Sequence, residues 1–386
     1  MRVGFITYGL ASGLTGIGRY TVELMRALKR HVHDAEIIHL ATQRHDRYDL
    51  AREFETHHLA GCERLPQLMT WGNLAVARAT RRYGLDIIHD PNGIAPFLAQ
   101  RDITRRVVTI HDAFAYVDPS THNRLDTWRY RWMLPYAVRC ADAVITVSEC
   151  SRRDLVRFLG LPTERVSVIG GGVEPRFVAI EDGEARRTIL AKYGIAGRYM
   201  LYVGSINARK NIARLFEAYA MVRGKFPDVT LVIGGKRQWR TAEIDATWQR
   251  LNLDDHVHFT GYVDDADLPA LYSAAELFVF PSLYEGFGLP PLEAMACGTP
   301  VITSNSSSLP EVVGDAALLV EPHNTANIAD AMVQLLGDVP LQAELRRRGF
   351  TQARRFTWEQ AAQETKIVYQ RLMTAYGGAD KQLLSK

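Results

Sequence analysis

Short runs of aliphatic and β-branched residues alternate with segments of helical periodicity along the first half of the chain. Five runs are predicted to be buried strands: Arg2 to Tyr8, Glu36 to Leu40, Asp86 to His89, Arg106 to His111 and Asp142 to Ser148. Behind the first run, Ile17, Tyr20, Leu24 and Leu28 recur at helical spacing. Strands that alternate with helices form parallel sheets, so we predict a doubly wound α/β domain.

A second alternating series follows a break at Gly170 to Gly172 and at the polar stretch Glu181 to Arg187, where we predict a hinge. Its predicted strands are Tyr199 to Gly204, Val229 to Gly234, His256 to Phe259, Glu276 to Phe280 and Thr299 to Thr303. We therefore expect two Rossmann-like domains, over residues 1–175 and 176–365, with a helix at 366–386 packing back on the first. Ligands of such sheets bind at the carboxyl ends of the strands, so we expect the active site in a cleft between the domains.

The composition agrees with a globular enzyme of this kind. The 386 residues are 47% hydrophobic and 23% charged, and no apolar run approaches the ~20 residues of a membrane-spanning helix. The four cysteines lack the spacing of a metal site or a disulfide framework, and no signal peptide is recognisable at the start, which favours a cytoplasmic protein. A net charge of +3 without a basic stripe argues against nucleic acid as a partner.

A glycine loop follows the first predicted strand and leads into a helix. Gly13, Gly16 and Gly18 allow backbone N–H groups to approach a phosphate at the helix N-terminus. The dinucleotide fingerprint requires a third small residue where Thr21 stands, which disfavours an oxidoreductase. A purely structural turn stays open, although Arg19 in the first helical turn opposes the helix dipole unless an anion lies nearby.

The first strand of the second series is followed by a segment with two adjacent cations. Arg209 and Lys210 precede a helix that the side chain of Asn211 is expected to cap. Cations at a helix N-terminus are unfavourable, and a bound diphosphate would reverse this. The alternative is an exposed, solvated pair.

The stretch from Pro281 to Gly298 carries two glutamates around a helix start. Pro290 and Pro291 suit the first helical turn and Gly298 suits the helix end. Glu285 then lies in a glycine loop, and Glu293 lies in or near the first turn. Glu293 alone is explained by the helix dipole, whereas Glu285 is not.

Glu285 and Glu293 form a Glu-x7-Glu pattern, and the chain around it closely resembles retaining GT-B glycosyltransferases of group 1 and family 4. Further matching motifs are Thr15 to Arg19, Val108 to Asp112, Ala141 to Ser148, Ala208 to Asn211, Gly261 to Val263, Ala296 to Ile302 and Ser307 to Gly314. The resemblance implies a GT-B fold and a nucleotide-sugar site. It also implies transfer with retention at the anomeric carbon.

The resemblance also assigns roles to individual residues. The catalytic set it implies is His111, Arg209, Lys210 and Glu285. The donor-binding set is Gly16 and Gly18 at the distal phosphate, Tyr262 and Val263 at the base, Gly286, Phe287, Gly288 and Leu289 at the sugar, and Glu293 at the ribose. Ser205 is also assigned to the donor-binding set. Ser205 departs from the pattern, because some relatives carry a second phosphate-binding arginine there.

Charge that develops on a leaving diphosphate is stabilised by fixed cations and helix termini, so we expect no metal and no cofactor. Asp265-Ala266-Asp267 spells a metal-binding string, but its position in a polar turn before a helix favours capping. His111 is open to three interpretations: a base, a positioning group, or a core histidine at a strand end with no functional role. In retaining members of the family, the departing phosphate is thought to accept the proton of the acceptor.

The resemblance is strongest to bacterial mannosyltransferases of polysaccharide synthesis, so the expected reaction moves mannose from GDP-mannose onto a glycan or lipid-linked glycan. A UDP-sugar-dependent glucosyl- or N-acetylglucosaminyl-transferase, a hydrolase, epimerase or phosphorylase on the same scaffold, and a non-catalytic partner subunit are the alternatives.

A basic and aromatic segment from Arg124 to Met133 suggests peripheral contact with the inner face of a membrane. A packed helix with one solvated face explains this segment nearly as well.

Overall fold

The structure is a computed structural model that describes residues 1–10, 16–93, 104–118, 124–238 and 241–383. The chain divides into two compact units. The N-terminal unit comprises Met1–Gly172 and Thr357–Lys386, and the C-terminal unit comprises Val173–Phe356. The division was predicted at 175/176 and the returning helix at 366–386.

The described part of the N-terminal unit holds a seven-stranded sheet. Its strands are β1 (Arg2–Thr7), β2 (Glu36–Ala41), β3 (Glu55–His58), β4 (Ile87–Asp90), β5 (Arg105–Ile110), β6 (Ala143–Thr146) and β7 (Val166–Val168). Its first helices are α1 (Gly16–His31), α2 (Leu65–Thr70), α3 (Gly72–Tyr83), α4 (Phe114–Val117), α5 (Arg124–Cys140) and α6 (Glu149–Leu159).

The C-terminal unit, as far as the structure describes it, holds a six-stranded sheet. Its helices are α7 (Gly183–Lys192), α8 (Ile212–Val222), α9 (Ala242–Arg250), α10 (Leu268–Ala274), α11 (Leu289–Ala296), α12 (Leu309–Val313), α13 (Thr325–Gly337) and α14 (Val339–Ala353). Its strands are β8 (Arg198–Val203), β9 (Val229–Gly234), β10 (Val257–Gly261), β11 (Leu277–Phe280), β12 (Val301–Ser304) and β13 (Ala317–Val320). The last helix, α15 (Trp358–Leu383), returns to the N-terminal unit and packs on α1.

Each sheet has its first strand in the interior. The strand orders are β3-β2-β1-β4-β5-β6-β7 and β10-β9-β8-β11-β12-β13, and neighbouring strands are parallel. The chain runs from the first strand toward one edge and later continues on its other side, so the order reverses between β1 and β4 and between β8 and β11. Two doubly wound sheets are thereby confirmed, and their reversal points are where such folds bind ligands.

Strands β3, β7 and β13 were not predicted from the sequence, each for a local reason. The β3 sequence Glu-Thr-His-His lacks an apolar run, and β7 is only three residues long. Residues Ala317–Val320 of β13 are mostly alanine and leucine, which favour helices as readily as strands. All three are positioned by pairing with a neighbouring strand.

Buried polar contacts attach α15 to the sheet of the N-terminal unit. The His89 ring lies 2.7 Å from the Tyr369 hydroxyl through Nδ1 and 2.8 Å from Thr109 Oγ1 through Nε2. Burial, with a smaller effect of nearby His111, lowers the pKa of His89 to about 3. His89 is therefore neutral in the folded protein.

None of the helices in the described part of the chain has an apolar stretch of the length that spanning a bilayer requires.

Neutral His89 makes the stability of the N-terminal unit depend on pH. The unfolded histidine titrates near 6.5, so the unfolded state binds more protons below that pH and stability falls as the pH falls toward 3. At pH 5 this single group lowers the free energy of unfolding by about 2 kcal/mol relative to pH 7.5. Urea unfolding of wild type and His89→Gln at both pH values tests this. Identical pH dependence of the two proteins would contradict it.

Candidate active site

The loop after β8 is shaped by close contact between two glycines. A Cβ on Gly235 would lie 1.8 Å from the carbonyl oxygen of Gly204, and the φ of Gly235 is +145°. The loops after β8 and β9 continue side by side through a bridge between Ile206 and Arg237. Ser205 lies in this loop, where its Oγ accepts a hydrogen bond from Asn207 Nδ2 at 3.3 Å. The backbone after β8 is thus fixed at the reversal point of the sheet.

Lys210 and Glu285 form a buried ion pair across that reversal point. Lys210 ends a 3₁₀ turn, Ala208–Lys210, after β8, and Glu285 lies in the loop after β11. The Lys210 Nζ and Glu285 Oε1 atoms are 2.5 Å apart, and the two side chains are only 9% and 10% exposed. Solvation is largely removed from both charges, so each depends on the other.

The cation at Lys210 also rests on aromatic rings. Its Nζ lies 4.9 Å from the centroid of the Phe280 ring, which stacks on Tyr202 at 5.8 Å. The Tyr202 hydroxyl donates a hydrogen bond to the Ser205 carbonyl at 3.1 Å. Burial, reinforced by the charge of Glu285, raises the pKa of Tyr202 well above its usual range, so this donor stays protonated.

The carboxyl group of Glu285 is ionised in this setting. Burial alone would raise its pKa, but the charges of Lys210 and Arg209 and hydrogen bonds to the carboxylate outweigh that effect and lower the pKa below its ordinary value. The site therefore combines a fixed carboxylate with two cations on adjacent residues. Arg209 also accepts a backbone hydrogen bond from Leu283 N–H at 2.9 Å, which joins the two loops directly.

Asn211 ties three loops together and does not cap a helix. Its backbone is left-handed, with a φ of +60°, and its side chain makes no capping hydrogen bond to α8. The prediction of an Asn211 side-chain cap was therefore wrong. The Nδ2 atom instead donates to the carbonyls of Pro281 and Pro322 at 3.0 and 2.7 Å. A left-handed residue directs this amide toward the loops after β11 and β13.

Ser307 and Ser308 after β12, for which no individual role was predicted, hold the loop that contains Glu285. Ser307 Oγ accepts a hydrogen bond from the Glu285 N–H at 2.9 Å. The Ser308 hydroxyl lies 2.9 Å from the carbonyl oxygen of Glu285 and 2.6 Å from that of Phe287. Only their place in the family motif marked them, because serine pairs are common in ordinary turns.

Helix α11 begins and ends as predicted. Prolines occupy its first turn, and Gly298 follows its end with a φ of +77°. Gly288 precedes the helix with a φ of +117°, and Leu289 is its first residue. Glu293 is the fifth residue of the helix, beyond the first turn, so the helix dipole does not account for an acidic residue at this position. It is 3% exposed, and its Oε2 accepts a hydrogen bond from Tyr272 at 3.1 Å.

Tyr262 and Val263 directly follow β10, two strands from β8 on the side away from β11. Val263 is buried, and the Gly235 N–H donates to the Gly261 carbonyl just before this pair. The Nζ atom of Lys236 lies 4.8 Å from the Tyr262 ring centroid. All candidate donor-binding residues of the C-terminal unit thus follow the carboxyl ends of its strands or lie in helix α11.

In the N-terminal unit, His111 follows β5 and contacts α1. Its ring lies edge-on to Tyr20, with centroids 4.8 Å apart, and its Nε2 donates to the Pro91 carbonyl at 2.9 Å. A carbonyl only accepts, so Nε2 carries the proton and Nδ1 is the basic atom of the neutral ring. Burial lowers the pKa of His111. Gly16 and Gly18 begin α1, whereas Gly13 to Thr15 lie outside the described residues.

The acidic string at Asp265 and Asp267 forms ion pairs in place of a cap. Asp267 precedes α10 without a side-chain capping bond, so the capping prediction was wrong. Its carboxylate pairs with Lys192 Nζ at 2.6 Å and accepts from the Tyr193 hydroxyl at 2.7 Å. The carboxylate of Asp265 lies 3.7 Å from the Arg176 guanidinium. The two carboxylates thus pair with cationic side chains that are distant in sequence, and that of Asp267 does not cap α10.

Comparisons with known proteins agree with this architecture. Residues 14–177 match the description Glycosyltransferase Family 4, and residues 186–352 match Glycosyl transferases group 1. The O-antigen chain mannosyltransferase B of Escherichia coli is 35% identical over 96% of this chain and 100% of its own length. An MMP alpha-(1->4)-mannosyltransferase of Mycolicibacterium hassiacum is 28% identical over 96% of this chain and 98% of its own.

Among solved structures, a sucrose-phosphate synthase from Thermosynechococcus elongatus superimposes with a TM-score of 0.81 at 24% identity, covering 97% of this chain and 99% of that one. Two doubly wound units of this kind define the GT-B fold, as the sequence resemblance implied. The chain belongs to the group 1 glycosyl transferases and is a glycosyltransferase.

The Asn211 cross-link predicts a loss of stability on removal of its amide. Asn211→Gly keeps a residue that accepts a φ of +60°, but leaves two buried carbonyls without their donor. We expect the free energy of unfolding of the C-terminal unit to fall by about 1–3 kcal/mol, measured by urea unfolding. An unchanged or higher stability would show that backbone conformation, and not the amide, explains this residue.

Proposed function

We propose that this glycosyltransferase moves mannose from GDP-mannose onto a glycan or lipid-linked glycan in polysaccharide synthesis, with retention at the anomeric carbon. The main support for a sugar-diphosphate substrate is the Lys210–Glu285 ion pair at the reversal point of the C-terminal sheet. Mannose is supported by the names of the relatives, which include an O-antigen chain mannosyltransferase. Retention is supported by the Glu-x7-Glu pattern of Glu285 and Glu293.

The order of the strands supports an extended donor along the carboxyl edge of the C-terminal sheet. Tyr262 and Val263 follow β10, Arg209 and Lys210 follow β8, and Glu285 follows β11. β10 and β11 are three strand spacings apart, which is about 14 Å. That distance suits a base at β10, a diphosphate at β8 and a sugar at β11. Glu293 binds the ribose hydroxyls in this arrangement.

The proposed chemistry rests on fixed charge. Cleavage of the sugar–diphosphate bond leaves negative charge on the departing oxygen, and Arg209 and Lys210 stabilise that charge as it develops. An ammonium has three N–H donors, so contact with Glu285 is compatible with contact with a phosphate oxygen. The departing phosphate takes the proton of the acceptor hydroxyl. Glu285 and the backbone of Gly286 to Leu289 hold the sugar.

His111 has a positioning role in this proposal. Its Nε2–H is bound to the Pro91 carbonyl, and burial lowers its pKa, which keeps the ring neutral. Its Nδ1 is then an acceptor for a sugar hydroxyl on the anomeric side. Gly16 and Gly18 contact the distal phosphate through the start of α1.

We further propose that transfer needs no metal and no cofactor. The carboxylates of Asp265 and Asp267 are engaged by Arg176 and Lys192, and Arg209 and Lys210 supply positive charge at the leaving group. The cations thus take the part that magnesium plays elsewhere.

A donor screen in excess EDTA tests the proposal. We expect GDP-mannose to raise the thermal midpoint more than UDP- or ADP-sugars, because a ligand at 100 times its Kd stabilises the folded state by about 2.7 kcal/mol. NMR of the product should show an α-linked mannose, and Asp265→Asn with Asp267→Asn should remain active. Preference for a UDP-sugar would contradict the proposed donor, and an inverted product would contradict retention. Release of free mannose only would contradict transfer to an acceptor, and restoration of activity by magnesium would contradict metal independence.

Lys210 is expected to be essential for transfer for a reason separable from folding. Lys210→Met leaves the buried Glu285 carboxylate without its partner and should lower stability by about 3–5 kcal/mol. Lys210→Met combined with Glu285→Gln removes both charges and should recover most of that loss. Transfer should stay reduced by about 10²–10³ or more in both variants. A double variant with near wild-type turnover would exclude a role of Lys210 in the reaction.

We also propose peripheral contact of α5 with a lipid surface. Trp128 and Trp132, one helical turn apart, are 66% and 65% exposed, and Tyr130 is also exposed. Met133 is instead buried in the core, and the Arg131 guanidinium lies over the Tyr116 ring, so the patch is narrower than the sequence indicated. The side chains of Arg124 and Arg129 lie outside the described residues. Exposed tryptophans favour the membrane interface.

Vesicle sedimentation tests the contact. Wild type should bind vesicles that contain anionic lipid, and binding should weaken with salt, because exposed charges are screened over about 8–10 Å. Trp128→Ala with Trp132→Ala should reduce binding about tenfold or more, whereas the control Trp71→Ala, on another exposed helix end, should not. Equal binding to neutral vesicles, or no binding at all, would refute the proposal.

A further inference from the structure

Ser307 has a backbone conformation that normally favours glycine. Its φ is +55°, in the left-handed region, and it lies in the turn between β12 and α12. A side chain at such a φ is unfavourable by steric crowding of the Cβ atom. A glycine would occupy the same turn without that penalty.

The Ser307 hydroxyl is oriented at both ends. It donates a hydrogen bond to the Ser306 carbonyl at 2.7 Å and accepts one from the Glu285 N–H at 2.9 Å. Because its proton is directed to Ser306, a lone pair faces the Glu285 amide. The left-handed backbone and the hydroxyl together bring this acceptor to a loop 22 residues away in sequence.

The same stretch of backbone is held on its carbonyl side by Ser308. Its hydroxyl, which is fully buried, contacts the Glu285 and Phe287 carbonyls. The N–H and C=O groups that flank the Glu285 side chain are thus both attached to the turn after β12. The Lys210 pair fixes only the end of that side chain, whereas the two serines bind the backbone of Glu285 itself.

We infer that Ser307 is a positioning residue for Glu285: it keeps a strained backbone so that its hydroxyl can hold the Glu285 amide, and thereby sets the sugar-contacting loop. This inference rests on the proposed function for the identity of the sugar. A purely structural serine would increase the stability of the folded chain. A positioning serine at this φ contributes little to it or reduces it, while it increases turnover.

The test compares Ser307→Gly with Asn252→Gly. Asn252 has a φ of +49° and follows α9, away from the residues assigned to the site, so it controls for the relief of backbone strain. For each protein we would measure the thermal midpoint, amide exchange of the 283–288 segment, affinity for GDP, and kcat and KM with GDP-mannose. Ser307→Ala, which keeps the strain and loses the hydroxyl, is the second variant.

Ser307→Gly should have a thermal midpoint close to that of wild type, because relief of the left-handed backbone offsets the one hydrogen bond lost, whereas Asn211→Gly loses two. Amide exchange in 283–288 should be about tenfold faster, GDP affinity unchanged, and kcat about tenfold lower, as expected for one lost hydrogen bond. Asn252→Gly should change neither exchange in 283–288 nor kcat. A lower midpoint with unchanged kcat, or unchanged exchange in 283–288, would overturn the inference. Wild type that does not use GDP-mannose would refute the proposed donor, and amide exchange would still decide the role of Ser307.

Discussion

The buried ion pair of Lys210 and Glu285 is the interaction on which the rest of the candidate site depends. Two charges with little solvent must compensate each other, and an unmatched partner would be strongly destabilising. The pair therefore requires that the loops after β8 and β11 hold one relative position. The strand order that makes these two strands neighbours is what brings both charges to one place.

Neutral hydrogen bonds supply that fixed position. Asn211 donates to carbonyls in the loops after β11 and β13, and Ser307 and Ser308 attach the Glu285 backbone to the turn after β12. Two of these three residues, Asn211 and Ser307, have left-handed backbones. The site thus retains conformational strain at the residues whose side chains reach the neighbouring loops. Strain of this kind persists only where surrounding contacts determine it, which is the pattern of a preorganised site.

The sequence was sufficient to predict two doubly wound sheets and most of their strands, and to mark Lys210 and Glu285 as candidate site residues, because hydrophobic periodicity and motif spacing are local signals. It was not sufficient for the partners of polar side chains. Asn211 and Asp267 stand before helices and were assigned as caps, but their actual partners come from distant loops and from Lys192. Ser307 was marked only by a motif, since a positive φ in serine leaves no trace in composition.

The central claim is that Lys210 keeps Glu285 ionised in a buried site, and the ionisation of Glu285 tests it directly. Carbon-detected NMR, with the signal assigned through Glu285→Gln, gives the pKa of this carboxyl in wild type and in Lys210→Met. The account predicts a pKa below the ordinary value in wild type, because Lys210 and Arg209 outweigh burial, and a higher pKa in the variant. A wild-type pKa above the ordinary value, or one that Lys210→Met leaves unchanged, would contradict it.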